Sequence, residues 1–405
     1  MSKLEELIEE LCPDGVEYKK LGEIATDIFR GSGIKRDEVT DQGIPCVRYG
    51  EIYTTYGIWF DECVSHTVLN NVKSPKYFEH GDILFVITGE SVEDIAKSTA
   101  YVGNEKCLAG GDIVVVKHNQ NPKYLSYALA TTNSRKQKSA GKVKSKVVHS
   151  SVPAIKEISV PIPPLPVQRE IVRILDNFTE LTAELTAELT ARKKQYEYYR
   201  DSVFIDIKSV QWLTIENVCY KISSGGTPKT GHSEYYGGEI PWLRTQEVDW
   251  REIIDVEIKI TEEGLKNSSA KWIEKNCVIV AMYGATAAKV AINKIPLTTN
   301  QACCNLQIDK TKAMYRYVYH WLCNKYEELK NLGQGSQSNI NAKTIRSFPI
   351  PVPPVEEQFR IVSILDRFDT LCNNITTGLP AEIAARQKQY EYYRDKLLTF
   401  KEAER

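Results

Sequence analysis

The sequence predicts an α+β fold built from two duplicated mixed α/β domains, each followed by a long helix. Three observations predict it. The eight residues from Lys194 to Asp201, Lys-Gln-Tyr-Glu-Tyr-Tyr-Arg-Asp, return unchanged from Lys388 to Asp395. Short Val- and Ile-rich runs, such as Asp82 to Thr88 and Asp112 to Val116, alternate with Gly, Pro and Asn in the region before each copy, the pattern of strands and short helices. A stretch free of Gly and Pro runs from Val167 past Asp201. A period this long means repeated domains, not a solenoid of small units.

The elements follow in chain order. The first domain is expected over residues 1–160, and Ile44-Pro45-Cys46-Val47-Arg48 within it answers to Ile240-Pro241-Trp242-Leu243-Arg244 in the second. Pro161-Ile162-Pro163-Pro164-Leu165-Pro166 closes it. From there Val167, Ile171, Ile174, Leu175, Phe178, Leu181 and Leu185 fall at helical spacing, so a central amphipathic helix is expected within 161–208. The second domain is expected over 209–350. A second helix spans 351–405 and is broken into two pieces at Gly378-Leu379-Pro380, where the helical pattern cannot continue undisturbed. The block from Pro163 to Phe178 pairs with Pro353 to Phe368.

Inside the central helix Thr182-Ala183-Glu184-Leu185 is followed by Thr186-Ala187-Glu188-Leu189. From Phe178 to Tyr196 is 18 residues and from Phe368 to Tyr390 is 22, so the first copy is one four-residue unit shorter. Good helix formers with a Leu ridge account for the pattern structurally. A second reading is that Thr182, Leu185, Thr186 and Leu189 belong to a spacer whose unit number tunes the distance between two domains.

Composition narrows the class. At 405 residues, 42% apolar and 26% charged, the chain is long enough for two or three domains with cores of their own. No apolar run nears the roughly 20 residues that span a bilayer, and the start Met-Ser-Lys-Leu-Glu-Glu has the character of neither a secretory nor a transit signal; a cytoplasmic protein is expected. Ten cysteines show no C-x-x-C pair and no His at ligand spacing, so no zinc site or disulfide framework is expected, and metal ligands are expected to be absent. A formal net charge of −1 gives no global sign of a nucleic-acid partner. No G-x-x-x-x-G-K-[ST] phosphate loop occurs. Asn121-Pro122-Lys123-Tyr124 is read as a strand-to-helix turn, and Asp255 to Ile260 as a half-exposed strand.

The two variable domains, each followed by Pro-Pro-x-x-x-Gln and a long helix, resemble the specificity subunit of type I restriction-modification enzymes. The segment from Ser223 to Pro228 and the polar run from Gly333 to Asn341 belong to the same likeness. The tetrapeptide looks like the variable spacer of one branch of that family. The resemblance covers the whole chain. It implies two target recognition domains, each reading half of a split double-stranded DNA site, held apart by two antiparallel, coiled-coil-like helices in a pseudo-two-fold arrangement. It also implies two methylation subunits docked on those helices, with restriction subunits joining through the complex. The chain itself would be non-catalytic and bind no cofactor. S-adenosylmethionine, ATP and Mg would sit on the partners.

Candidate DNA contacts follow from local clustering, since phosphate is held by cations and base edges are read by Arg, Lys, Asn and Gln. Arg135, Lys136, Lys138, Lys142, Lys144 and Lys146 bring six positive charges and no acid within twelve residues. Their counterpart in the second domain offers Gln334, Ser336, Gln337 and Asn339, uncharged groups able to meet bases or phosphates. Lys35 and Arg36 after Gly31-Ser32-Gly33, and Lys229 after Gly225-Gly226, end glycine turns that suit an anion nest or a plain turn. Arg48 and Arg244 stand at equivalent strand ends, for phosphate contact or for an internal salt bridge. Tyr196, Tyr198 and Tyr199, with Tyr390, Tyr392 and Tyr393, cannot all share one helix face, so part of each group is expected to dock a partner. Two other functions stay open: a coiled-coil scaffold binding only proteins, and a self-contained methyltransferase or nuclease, for which no catalytic constellation is found.

Overall fold

The computed structural model describes residues 2–140, 147–205, 207, 210–333, 339–373 and 377–403. Seven of its helices matter here: α1 (Lys3–Leu11), α2 (Pro122–Leu129), α3 (Thr132–Ser139), α4 (Leu165–Ser202), α5 (Tyr315–Asn324), α6 (Val355–Asn373) and α7 (Leu379–Leu397). The chain forms two compact units, unit 1 from Met1–Thr186 with Glu382–Arg405 and unit 2 from Ala187–Ala381. The fold is α+β, with the same architecture in both units.

In unit 1 a five-stranded sheet runs in the order Ala25–Arg30, Ile113–His118, Ile83–Val86, Ser98–Tyr101, Trp59–Phe60. All neighbours are antiparallel except the last pair. Its central strands, Ile-Leu-Phe-Val and the Ile-Val-Val-Val start of Ile113–His118, are buried on both faces, which explains their continuous apolar runs. One face meets α2, α4 and α7 through Ile83, Phe85, Val114, Leu125, Ile171 and Tyr390. The other meets a second five-stranded sheet containing Ile44–Val47, Ser65–Thr67 and Cys107–Ala109 through Val47, Leu84, Val115 and Ala109.

Unit 2 repeats this plan with a five-stranded sheet centred on Cys303–Ile308 and Val278–Ala281 and a four-stranded sheet containing Tyr236–Leu243 and Leu297–Thr299. The alternating run from Asp255 to Ile260 becomes strand only at Lys259–Ile260. Val256 is buried in the second apolar cluster without a ladder partner, so alternation in burial there does not extend the strand.

The duplication persists to single hydrogen bonds. Gln168 and Gln358 are fully buried near the starts of α4 and α6. Gln168 Oε1 accepts from Asn121 N at 3.0 Å and its Nε2 donates to Pro163 O at 2.8 Å. Gln358 Oε1 accepts from Met314 N at 2.9 Å and its Nε2 donates to Pro353 O at 2.9 Å. Tyr124 and Tyr317 hydroxyls donate to Pro161 O and Pro351 O. Asn121 caps α2, accepting from Tyr124 N at 3.1 Å with Pro122 behind it, which are the turn roles read from sequence.

Helix α4 is continuous for 38 residues, about 57 Å at the usual rise. Through the tetrapeptides, Thr182 Oγ1 donates to Phe178 O and Thr186 Oγ1 to Thr182 O, while Leu185 and Leu189 are half-buried and Glu184 and Glu188 exposed. Its first part lies in unit 1 and its last part in unit 2. In unit 2 the end of α4 runs antiparallel to α6: Tyr199 and Tyr196 stack on Phe368, with Lys193 near Cys372. In unit 1 Phe178 of α4 stacks on Tyr393 of α7 at 5.5 Å between ring centroids. Each unit therefore joins the Phe of one repeat to the Tyr-rich end of the other.

Candidate nucleic-acid interface

Equivalent corners of the two units are built by the same local chemistry. Strand Ile44–Val47 ends at Arg48, whose backbone N–H is capped by Glu51 Oε2 at 3.0 Å. Strand Tyr236–Leu243 ends at Arg244, capped by Glu247. Both arginines adopt φ −103° and ψ 154°. The side chains then differ. Arg48 pairs with Glu51 at 2.9 Å, and Glu51 is buried and also accepts from Ser65 Oγ. Arg244 pairs with Glu257 at 2.8 Å, and that carboxylate is 70% exposed. Arg48 is thus committed to an internal ion pair, while the partner of Arg244 is one that solvent or a phosphate can displace.

The glycine turns are explained by close packing. A Cβ on Gly31 would stand 2.3 Å from Gly110 O, and one on Gly225 would stand 1.8 Å from Thr299 O. The backbone crosses the Cys107–Ala109 and Leu297–Thr299 strands there, with Ser32 N donating to Ala109 O and Gly226 N to Thr299 O. A dedicated anion nest is not needed to account for them. Lys35, Arg36 and Lys229 beyond these turns are exposed, and Lys35 N is capped by Glu38.

The basic run corrects the sequence expectation in part. Arg135, Lys136 and Lys138 lie on α3, capped by Thr131, and not in a loop. Arg135 and Lys136 are exposed. Lys138 is buried, with its ammonium nitrogen 3.0 Å from Ser98 Oγ and over the Phe85 ring, so it is withdrawn from any phosphate. Burial pushes its amine down to about 7, and the nearby Arg135 charge adds to the fall. Lys142, Lys144 and Lys146, like Gln334, Ser336 and Gln337, lie outside the described residues. Asn339 is described: its Oδ1 accepts from Gly284 N at 3.3 Å.

One feature the sequence did not single out ties these stretches to the strand ends. In unit 1 Val148–His149 pairs with Thr88–Gly89, and Ser150 N donates to Ile87 O; Thr88 Oγ1 and His149 Nδ1 are 3.4 Å apart. In unit 2 Ile340 N donates to Met282 O, which places Asn339 beside Tyr283 and Gly284 as His149 stands beside Thr88 and Gly89. The scaffold is the same and the polar groups it carries differ. The pairing of these strand ends with His149 and Asn339 was not legible in the sequence, because no motif marks it.

The tyrosines divide by helical phase. Tyr390 is buried against Tyr127 and beneath Arg394, so it belongs to the core of unit 1 and is removed from the docking set. Tyr196, half-buried on Phe368, fills the same role in unit 2, its phenol pushed up by burial. Tyr199 and Tyr393 also stack inward on phenylalanines. Tyr198 and Tyr392, 69% and 62% exposed, are the pair left facing solvent. No group of His, Cys, Asp or Glu among the described residues has metal-site geometry, and no described helix is long and apolar enough to cross a membrane.

Residues 13–192 and 208–385 each match the family described as type I restriction modification DNA specificity domain. The chain belongs to that family. Within it, the specificity subunit of the EcoR124I and EcoR124II type I restriction enzymes of Escherichia coli is 43% identical over 263 residues, covering 62% of this chain and 64% of that one. The chain thus spans a little under two thirds of that relative. A putative type I specificity subunit of Haemophilus influenzae is 31% identical over 275 residues, covering 64% of this chain and 68% of the relative. The fold of a specificity chain is confirmed by structures. One, solved in a study of complex assembly and conformational transition of the type I R-M system, superposes with a TM-score of 0.65 over 96% of this chain and 98% of that one at 17% identity. The S subunit from M. genitalium gives a TM-score of 0.57 over 95% and 96% at 14% identity.

Proposed function

We propose that this chain is the sequence-recognition subunit of a type I restriction-modification complex, each unit reading one half of a bipartite, asymmetric DNA site. One observation carries the reading: a shared scaffold, repeated down to Gln168 and Gln358, sets His149 beside Thr88 in one unit and Asn339 on Gly284, next to Tyr283, in the other. A duplicated frame with unlike polar groups at equivalent places is what two different half-sites require. Exposed Arg135 and Lys136 in unit 1, and Lys229 and displaceable Arg244 in unit 2, supply phosphate contacts that position the frame.

Chemistry is left to partners. Methylation subunits dock on α4, α6 and α7, with Tyr198 and Tyr392 as exposed anchors, and carry S-adenosylmethionine; restriction subunits carry ATP and Mg. The unbroken helix α4 acts as the ruler. One added Thr-Ala-Glu-Leu unit lengthens it by about 6 Å and turns its end by a net 40° or so, against about 3.4 Å and roughly 34 to 36° for one base pair. Groove phase is the stricter demand on a rigid reader, so each unit adds one base pair to the gap between half-sites.

The half-site assignment is tested with the assembled methylation complex. Asn339→Ala is expected to relax base preference in one half of the site and leave the other unchanged, measured by methylation of a randomised target library. Equal relaxation of both halves, or none, contradicts the assignment.

A further inference from the structure

Unit 1 holds a pair of thiols where unit 2 holds two hydrocarbons. In unit 1 Cys46 pairs with Ser65 on one side and Leu108 on the other. In unit 2 Pro241 pairs with Lys259, and Trp242 with Thr298. These registers align Cys63 with Val256 and Cys107 with Leu297. Val256 and Leu297 lie in one apolar cluster of unit 2, and Cys63 packs against the matching cluster of unit 1 that contains Cys107. At two positions of the matching apolar clusters, cysteine stands in unit 1 where unit 2 has an aliphatic side chain.

Each thiol lies close enough to shift the titration of the other, with Cys63 packed on the cluster that holds Cys107. Cys107 Sγ is also 3.4 Å from the Tyr101 hydroxyl. Their access differs in a useful way. Cys107 is buried, whereas Cys63 is half-exposed on a turn between exposed Glu62 and Val64. The Cys63 thiol, followed by the Tyr101 hydroxyl, holds Cys107 below the usual thiol range against the opposing effect of burial, and Cys63 is correspondingly raised.

We propose that Cys63 and Cys107 form an oxidative modification site in unit 1, converted by a small hydroperoxide into a reversible disulfide. The Cys63 sulfur, reached from solvent, attacks the peroxide as its proton passes to the departing oxygen. An S–O bond forms, the S–H and O–O bonds break, and water leaves. The Cys107 sulfur then attacks the sulfenic sulfur. The S–S bond forms, the S–O bond breaks, and the departing hydroxide takes the Cys107 proton and leaves as a second water. Two thiols and one peroxide give one disulfide and two waters, the peroxide taking both electrons. In a reducing cytosol the link is transient and returns to thiols by exchange with a small dithiol. It joins the turn after Trp59–Phe60 to the Cys107–Ala109 strand, and unit 2 has no means of forming it.

The test uses the full chain in cells pulsed with hydrogen peroxide, followed by trapping of free thiols with N-ethylmaleimide, proteolysis and mass spectrometry. The expected result is a peptide pair joined through Cys63 and Cys107, two hydrogens lighter than the separate peptides and released by dithiothreitol. It should be absent from Cys63→Val and from Cys107→Leu, which install the residues of unit 2; either variant suffices if the other fails to fold. Recovery of both cysteines as separate maleimide adducts overturns the proposal. So does a link from either cysteine to Cys46, or oxidation of Cys63 to its sulfinic acid with Cys107 still free.

Discussion

Lys138 shows how far a single residue can depart from the pattern of its neighbours. Helix α3 presents Arg135 and Lys136 to solvent and turns the next lysine of the run into the core against Ser98, 40 residues away in sequence. The folded-state amine lies near 7 and the unfolded one near 10.5. A depressed lysine contributes stability above pH 10.5 that is lost as pH falls through about 7. Lys138→Met, which keeps the stem and removes the charge, is therefore expected to stabilise unit 1 at pH 7, and its advantage should shrink by roughly 2 kcal/mol between pH 7 and pH 9 in denaturant titrations. An advantage constant across that range would deny the amine its buried, uncompensated state. His118 gives the acid counterpart. Burial holds it near 4, below its usual 6.5, with Nδ1 accepting from Gln120 N. Its stabilising effect is whole above pH 6.5 and lost as pH falls towards 4, about 3 kcal/mol in all. His118→Gln should flatten the acid limb of the stability profile by about that amount. Neither burial was legible in the sequence, since which face of a short element turns inward depends on residues supplied from elsewhere in the fold. The same holds for Tyr390, identical in sequence context to Tyr196 and exposed to the same misreading, and for Gly31 and Gly225, whose need for a missing Cβ is set by the carbonyl oxygens of Gly110 and Thr299, far away in sequence.

Elements were far more legible than contacts. The run from Val167 to Asp201 has no Gly or Pro and an apolar period that holds for five turns, and it forms one helix, Leu165–Ser202. Gly378-Leu379-Pro380 marks the start of a new helix at Leu379 after the one ending at Asn373. The run from Asp255 to Ile260 misled because alternation reports burial, and Val256 is buried by side-chain packing without a neighbouring strand. The Pro-Pro-x-x-x-Gln block states its own reason in the structure: the glutamine ties the first turn of a long helix to the preceding proline carbonyl and to the backbone N–H that opens the neighbouring helical segment. Removing it leaves buried groups unpaired, at a cost of about 2–3 kcal/mol. Gln168→Ala is expected to weaken unit 1 and Gln358→Ala unit 2 by that amount, each read from hydrogen exchange in peptides of its own unit. Equal loss in both units from either substitution would show that the two glutamines do not act locally.

At the scale of the whole molecule, the chain is one scaffold written twice, with continuous helix α4 contributing to both units. The duplication was plain from the repeated octapeptide, and so was the missing four-residue unit in the first copy. What sequence could not supply is which residues the fold brings together at the strand ends, because no motif marks the meeting of Thr88 with His149 or of Gly284 with Asn339. In the proposed role, α4 is a ruler between two half-site readers. That role is tested by sequencing the methylated bases in cells that express this chain with the methylation subunit proposed as its partner, with and without one inserted Thr-Ala-Glu-Leu unit. The expected result is a split asymmetric motif whose two halves are unchanged and whose gap grows by one base pair; an unchanged gap, or altered half-sites, would contradict that role.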